Sequence, residues 1–345
     1  MSSTPRIAVL GGGSFGTAIA NMIARKGYPV TLWMRDAANA ERCRNLRENT
    51  PYLPGYPLHE SLHISSDMAE ALDGAEVVFF SIPSKSFRQV VRSAAPLLAP
   101  GVMAVSTAKG IEEDSFDLMS EILLEELEAP RVGVISGPNL AREIAAGEIT
   151  ATVIASEDNA LCQRIQALLG SSSFRVYANH DRYGVELAGA LKNIYAIVAG
   201  IASAMGVGQN TLSVLITRSL AEMTRFAARL GANPMTFLGL SGVGDLIVTC
   251  TSPLSRNFRV GQCIGKGMSL DEAMVEVGQV AEGIKTTRIV KHKADAIGVY
   301  MPLVSALDAI LFHDQPLQSV LKNMMSSEQT EDVEFRVMRS NCDEQ

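Results

Sequence analysis

Apolar and polar positions follow two different rules along this chain. In the first half, short runs of strand formers at 6–10, 30–34, 75–82, 102–106 and 131–136 are bounded by glycine, proline or polar turn residues. Helix-forming stretches at 17–26, 86–98 and 114–127 lie among them. Strands alternating with helices predict a mostly parallel sheet covered on both faces, and the runs at 151–155 and 174–177 extend it. After about residue 179 the alternation is gone. Residues 184–205, 212–230, 234–240, 270–277, 286–297 and 302–311 read as helices with no strand pattern among them. The expected organisation is therefore an α/β unit over 1–180, an all-helical unit over 181–325 and a polar, acidic tail over 326–345.

Between the first strand and the first helix stands Gly11-Gly12-Gly13-Ser14-Phe15-Gly16. Strand, glycine turn and helix give a G-x-G-x-x-G its meaning as a dinucleotide-binding turn, so the doubly wound sheet is expected to be of the Rossmann type. Gly11 permits the tight turn, Gly13 lets a pyrophosphate approach the backbone, and Gly16 lets helix and strand pack closely. The phosphates would face free N–H groups at the positive end of the helix. The same residues also spell G-x-S-x-G, the serine nucleophile elbow. That elbow sits after several strands, whereas only ten residues precede this turn.

The ribose end of such a cofactor is read by the residue closing the second strand. Here Arg35 follows Met34, with Asp36 next. A guanidinium stacks on adenine and pairs with a 2′-phosphate, which favours NADP. Asp36, about twenty residues past Gly16, leaves NAD accepted as well. A solvated Arg-Asp pair opening a helix is the bland reading of the same two residues.

Composition narrows the classes. With 345 residues, the chain exceeds one comfortable core. A net charge of −7 argues against nonspecific nucleic-acid binding. Five scattered cysteines without a C-x-x-C pair suit a reducing cytosol, and no signal peptide precedes the first strand. The most apolar stretch, 187–205, is broken by Lys192 and Asn193 and rich in Ala and Gly, which predicts a buried helix rather than a membrane span. A soluble cytoplasmic protein follows. His59-Glu60-Ser61-Leu62-His63 matches H-E-x-x-H, but Pro54, Gly55 and Pro57 just upstream leave no room for the helix a zinc site needs, so no metal is expected.

Lys192 is the candidate acid-base group, because its neighbours on both sides are almost all apolar. Burial lowers a lysine pKa toward the range useful for proton transfer. The alternative is a structural ion pair with Glu186 or another buried acid. Asp245, among glycines, either orients Lys192, binds a substrate hydroxyl or caps a helix. Thr249 to Asn257 supply several hydroxyls, one guanidinium (Arg256) and one amide (Asn257), a mixture suited to a phosphate monoester.

In order along the chain stand GGGSFGTAIA, SIPS, STAKGIE, SGPNLAREI, LKNIYAIVAGI, NTLSVLITRSLAEM, GLSGVGDLIVTCTS, SRNFRVG and VAEGIKT. By this ordered set the chain resembles the bacterial NAD(P)-dependent glycerol-3-phosphate dehydrogenase family over residues 7–312. The resemblance implies reversible reduction of dihydroxyacetone phosphate to sn-glycerol 3-phosphate for glycerophospholipid synthesis. It also implies that Ser14, Phe15, Arg35, Lys109, Ala141, Arg256, Val280 and Glu282 contact the cofactor. Lys109, Gly137, Asn139, Lys192, Asp245, Ser255, Arg256 and Asn257 would hold the substrate, with Lys192 passing the proton. Phe15 stands where the family often has Trp, and Asn139 replaces a usual Ser. The small-residue helices of the second half suggest a homodimer. A related reductase of another small keto or hydroxy acid, and a non-catalytic NADPH-binding redox sensor, are the competing readings.

Overall fold

The computed structural model describes residues 4–278 and 281–325. Ten strands fall in its first half: β1 (Ile7–Leu10), β2 (Val30–Trp33), β3 (Glu48–Asn49), β4 (Leu53–Pro57), β5 (His63–Ser65), β6 (Val77–Phe80), β7 (Met103–Ser106), β8 (Arg131–Ser136), β9 (Thr150–Ala155) and β10 (Phe174–Asn179). Eight of them form one sheet in the order β10-β9-β8-β7-β6-β1-β2-β5. All neighbours in it are parallel except β8 and β9. β3 and β4 make a separate antiparallel hairpin.

The central strands β1 and β6 are buried at every position because helices cover both faces. Alternate side chains feed two cores. Ile7, Val9, Phe79 and Val105 pack with Ile19, Ile23 and Ile165 of the helices Ser14–Arg25 and Asn159–Leu169. Ala8, Leu10, Val78 and Phe80 pack with Phe87, Val91 and Ile122 of the helices Ser84–Ala94 and Met119–Glu126. From β1 the chain runs outward to β2 and β5, then returns to lay β6 on the other side of β1. That reversal makes a crevice beyond the carboxyl ends of β1 and β6, the place where open α/β sheets bind ligands.

The second half is built around one 23-residue helix, Arg182–Ala204, buried along nearly its whole length. Its length and composition would suffice to cross a membrane, but its sides are covered by the helices Gln209–Arg229, Asp245–Thr251, Arg256–Gly265 and Glu282–Ile297. Asp181 starts it, accepting from the Gly184 N–H at 2.9 Å, and also accepts from Thr236 Oγ1 at 2.6 Å.

Two sequence expectations need correcting. Residues 114–118 are not helical: the helix there spans Met119–Glu126, and Ile111 and Leu118 leave the sheet unit to join the core of the helical half. Residues 245–251 and 256–265, to which the pattern assigns no helix, are short helices, and the polar stretch from Thr249 to Asn257 covers the end of one and the start of the other. The residues of the H-E-x-x-H match lie outside any helix, with His63 starting β5 and bonded to Glu70 at 2.9 Å.

The helices Arg182–Ala204 and Arg256–Gly265 cross at glycines. A Cβ on Gly261 would lie 2.0 Å from the Ile197 carbonyl, and one on Gly200 would lie 2.0 Å from that of Phe258. Both obstacles are helical backbone, so a methyl forces the helices apart. Gly261→Ala is expected to destabilise the protein by about 1–3 kcal/mol, the range for overpacked cores. Urea unfolding of the purified variant measures this, and wild-type stability would contradict the close crossing.

Candidate active site

The glycine turn after β1 is shaped by contact. Gly11 has φ +117°, and a Cβ on it would lie 2.3 Å from the Ser81 carbonyl at the end of β6. A Cβ on Gly16 would lie 2.1 Å from the Gly11 carbonyl, so only glycine brings helix and turn this close. Gly13 differs: a Cβ there meets nothing within 4 Å. It is the N-cap of the helix Ser14–Arg25, which has no side-chain cap. An open approach to a helix N-terminus without a cap fits a dinucleotide pyrophosphate. Ser14 donates its hydroxyl to the Tyr52 carbonyl at 2.6 Å, and Phe15 is half-buried against the core beneath. Ala141 opens the short helix Ala141–Ala146, packed beside Ser14–Arg25.

At the end of β2, Arg35 is exposed while Asp36 is occupied. Asp36 Oδ1 accepts from the N–H groups of Ala38 and Asn39 at 3.0 and 3.1 Å, capping the helix Ala37–Leu46. That carboxylate therefore serves its own helix first.

Across the cleft, two lysines meet on one carboxylate. Asp245 is buried, and its Oδ1 accepts from Lys192 Nζ and its Oδ2 from Lys109 Nζ, each at 2.5 Å. Lys109 Nζ also donates to the Gly137 carbonyl at 3.0 Å, and Lys192 Nζ to Thr249 Oγ1 at 2.5 Å. Burial pulls the Lys192 ammonium down to about 8, against the opposing pull of Asp245, with neighbouring Lys109 adding to the lowering. The partner left open by the sequence is thus Asp245. Glu186 instead accepts from the Ser120 N–H at 3.0 Å and from its hydroxyl, and burial raises it to about 7. Asp245 is not an N-cap either: Gly244 holds that position.

Asn139, half-buried, donates through Nδ2 to Thr152 Oγ1 at 2.8 Å. Ser255 caps the helix Arg256–Gly265, accepting from the Phe258 N–H at 3.3 Å, which leaves Arg256 exposed at that helix's first position. Asn257 bonds Asn193 Oδ1 at 2.9 Å and accepts from the Gly283 N–H at 3.0 Å. Glu282 spans the cleft, accepting from the Ser84 N–H and hydroxyl at 3.1 and 2.7 Å. Val280 lies outside the described residues.

Three contributors escaped the sequence reading. Thr249 had been grouped with phosphate hydroxyls, yet its oxygen sits on Lys192. Asn193 reaches the Lys109 carbonyl at 3.3 Å, and its one signal was being polar in an apolar run. Ser84 closes the SIPS segment quoted above, but nothing in that segment assigns the serine a role of its own.

Models of the NAD-dependent glycerol-3-phosphate dehydrogenase family match this chain over residues 6–162 for the N-terminal part and 181–322 for the C-terminal part. The chain belongs to that family. It is 55% identical over 336 residues to a glycerol-3-phosphate dehydrogenase [NAD(P)+] of Saccharophagus degradans, covering 97% of this chain and 94% of that one. It is 57% identical over 329 residues to the protein of the same name from Azotobacter vinelandii, covering 95% and 96%. The crystal structure of the Coxiella burnetii glycerol-3-phosphate dehydrogenase superposes with a TM-score of 0.90 at 36% identity, covering 94% of this chain and 99% of that one. A ketopantoate reductase of Ralstonia eutropha shares the fold alone, at 16% identity and a TM-score of 0.59.

Because Asp245 is what holds the Lys192 ammonium up against burial, Asp245→Asn is expected to move Lys192 further below about 8. The alkaline limb of the pH–rate profile for ketone reduction should shift to lower pH. An unmoved limb would show that the carboxylate does not govern this lysine.

Proposed function

We propose that this chain reduces dihydroxyacetone phosphate to sn-glycerol 3-phosphate reversibly, supplying glycerophospholipid synthesis, with Lys192 as proton donor and acceptor. The observation that carries the mechanism is the pair of ammonium groups sharing Asp245 in the cleft. Bound NADPH supplies the hydride at the ketone carbon.

The chain's own groups handle the proton and the charge. An ammonium has three N–H donors. Lys192 places two of them on Asp245 and Thr249, leaving one for the substrate oxygen. Thr249 holds that geometry, because its own hydrogen goes to the Asp245 backbone carbonyl at 2.6 Å and its oxygen is left to accept. Lys109 likewise keeps one N–H beyond Asp245 and Gly137. As the ketone oxygen gains charge, both ammoniums stabilise it and Lys192 transfers its proton. In the reverse direction neutral Lys192 takes the proton from the alcohol. Arg256, at a helix N-terminus, anchors the phosphate with the remaining Asn257 amide hydrogen and the Ser255 hydroxyl, holding the reacting end in place. Gly137 and Asn139 border the substrate opposite this anchor. Over the cofactor lie Gly11, Gly13, Ser14, Phe15, Gly16, Ala141 and Arg35.

Asp36 caps its helix through Oδ1 and Arg35 stands exposed beside it, which supports a preference for NADP with NAD accepted. A cytoplasmic homodimer is the accompanying reading. It rests on the buried free cysteines and on the outer face of the helix Gln209–Arg229, where Val214 is exposed.

Loss of NADPH absorbance on adding dihydroxyacetone phosphate tests the activity directly, and tight NADPH binding without turnover would favour the other keto-acid reductases or a sensor. Lys192→Ala is expected to keep cofactor binding and lose turnover by at least about a thousandfold, within the scale of general acid–base and charge-stabilising contributions. Near-normal turnover would remove the lysine from its role. With protonated Lys192 as donor, ketone reduction should fall as pH rises through about 8, and alcohol oxidation should rise over the same interval. Arg35→Ala should weaken NADPH about tenfold more than NADH, the scale of one charge-assisted contact, as read from the two KM values.

A further inference from the structure

The segment between the helix Ala37–Leu46 and β5 does not extend the main sheet. It carries the β3–β4 hairpin and lies against the glycine turn, held there by three polar hooks. Asn21 donates to the Pro57 carbonyl at 3.1 Å and accepts from the His59 N–H at 2.7 Å. Ser14 donates to the Tyr52 carbonyl. Asn49, with 0% of its surface exposed, donates from Nδ2 to the Gly12 carbonyl and to Thr17 Oγ1, both at 2.8 Å, while its Oδ1 accepts from Asn39 Nδ2 at 3.3 Å.

The bond to Gly12 falls on the peptide unit that matters most. A trans peptide is planar, so its C=O and the following N–H point in opposite directions. Pulling the Gly12 oxygen toward Asn49 therefore aims the Gly13 N–H the other way. Gly12 and Gly13 flank this unit without a Cβ between them, so the backbone itself gives little resistance to a flip. A flipped unit would turn a carbonyl oxygen toward the anion site and remove a donor from it.

The geometry points to Asn49 as a positioning residue for dinucleotide binding: it locks the Gly12–Gly13 peptide with its N–H toward the pyrophosphate without touching the cofactor. This rests on the dinucleotide reading of the glycine turn.

Asn49→Asp is the selective variant. It keeps the shape, can still accept from Asn39, and can accept a hydrogen from Thr17, yet it repels the Gly12 carbonyl. Asn49→Ala removes the hook outright. Asn21→Ala is the control, because it cuts the same segment from the same helix without touching the turn. The readouts are NADPH Kd by calorimetry, kcat and KM for NADPH, and the Tm of the protein without ligand. Both Asn49 variants are expected to raise NADPH Kd and KM tenfold or more, with kcat at saturation within twofold. Asn21→Ala is expected to lower Tm with Kd unchanged. An unchanged Kd in Asn49→Asp overturns the assignment, as does an equal rise in Kd for Asn21→Ala, which would reduce the hook to general support. Wild-type protein that fails to bind NADPH would instead overturn the dinucleotide reading itself.

Discussion

A single buried carboxylate, that of Asp245, sets the terms for the rest of the cleft. Two cations brought this close would repel strongly in a poorly hydrated interior without a shared anion between them. With it, a lysine from the sheet unit and a lysine from the central helix can stand side by side. The requirement reaches outward. Asp245 must begin a helix tight against Arg182–Ala204, Lys192 must face it from a helix buried along nearly all its length, and Lys109 must arrive from the end of β7.

Around this centre runs a circuit of polar contacts between the two halves. Ser84 holds Glu282, Gly283 next to it holds Asn257, Asn257 holds Asn193, and Asn193 returns to the Lys109 carbonyl. Buried amides joined in this way must satisfy one another, so displacing one leaves its neighbour without a partner. The circuit fixes the relative placement of the sheet's carboxyl edge and the helices that carry Arg256 and Glu282.

Much of this was legible in the chain. The strand runs, the glycine turn and the lone lysine in an apolar helix each have a local physical cause, and all can be read at the level of residue type. Other features were not legible, because their cause lies far away in sequence. Glu186 and Asp245 both stood as partners for Lys192, and only the fold, by giving Glu186 to Ser120, decides for Asp245. Thr249 looked like one more loop hydroxyl because its helix is short and ends two residues later, where a run of hydroxyls begins. Residues 114–118, Asp-Ser-Phe-Asp-Leu, are mostly weak helix formers in front of a stronger helical pattern; Ser115 Oγ accepts from the Asp117 N–H at 3.1 Å and Leu118 is buried in the other half's core, so the helix begins only at Met119.

That last segment bears on how the two halves can be separated. Ile111 and Leu118 lie in the helical core, and Phe116, at φ +68°, packs edge-on to Phe226. The arm that carries Lys109 is therefore a graft from one unit rooted in the interior of the other. The halves are not interchangeable modules: recombination between relatives that joins them near residue 180 inherits an arm fitted to a different socket. Sequence drift in 111–118 and in its helical receptor is accordingly constrained to proceed together.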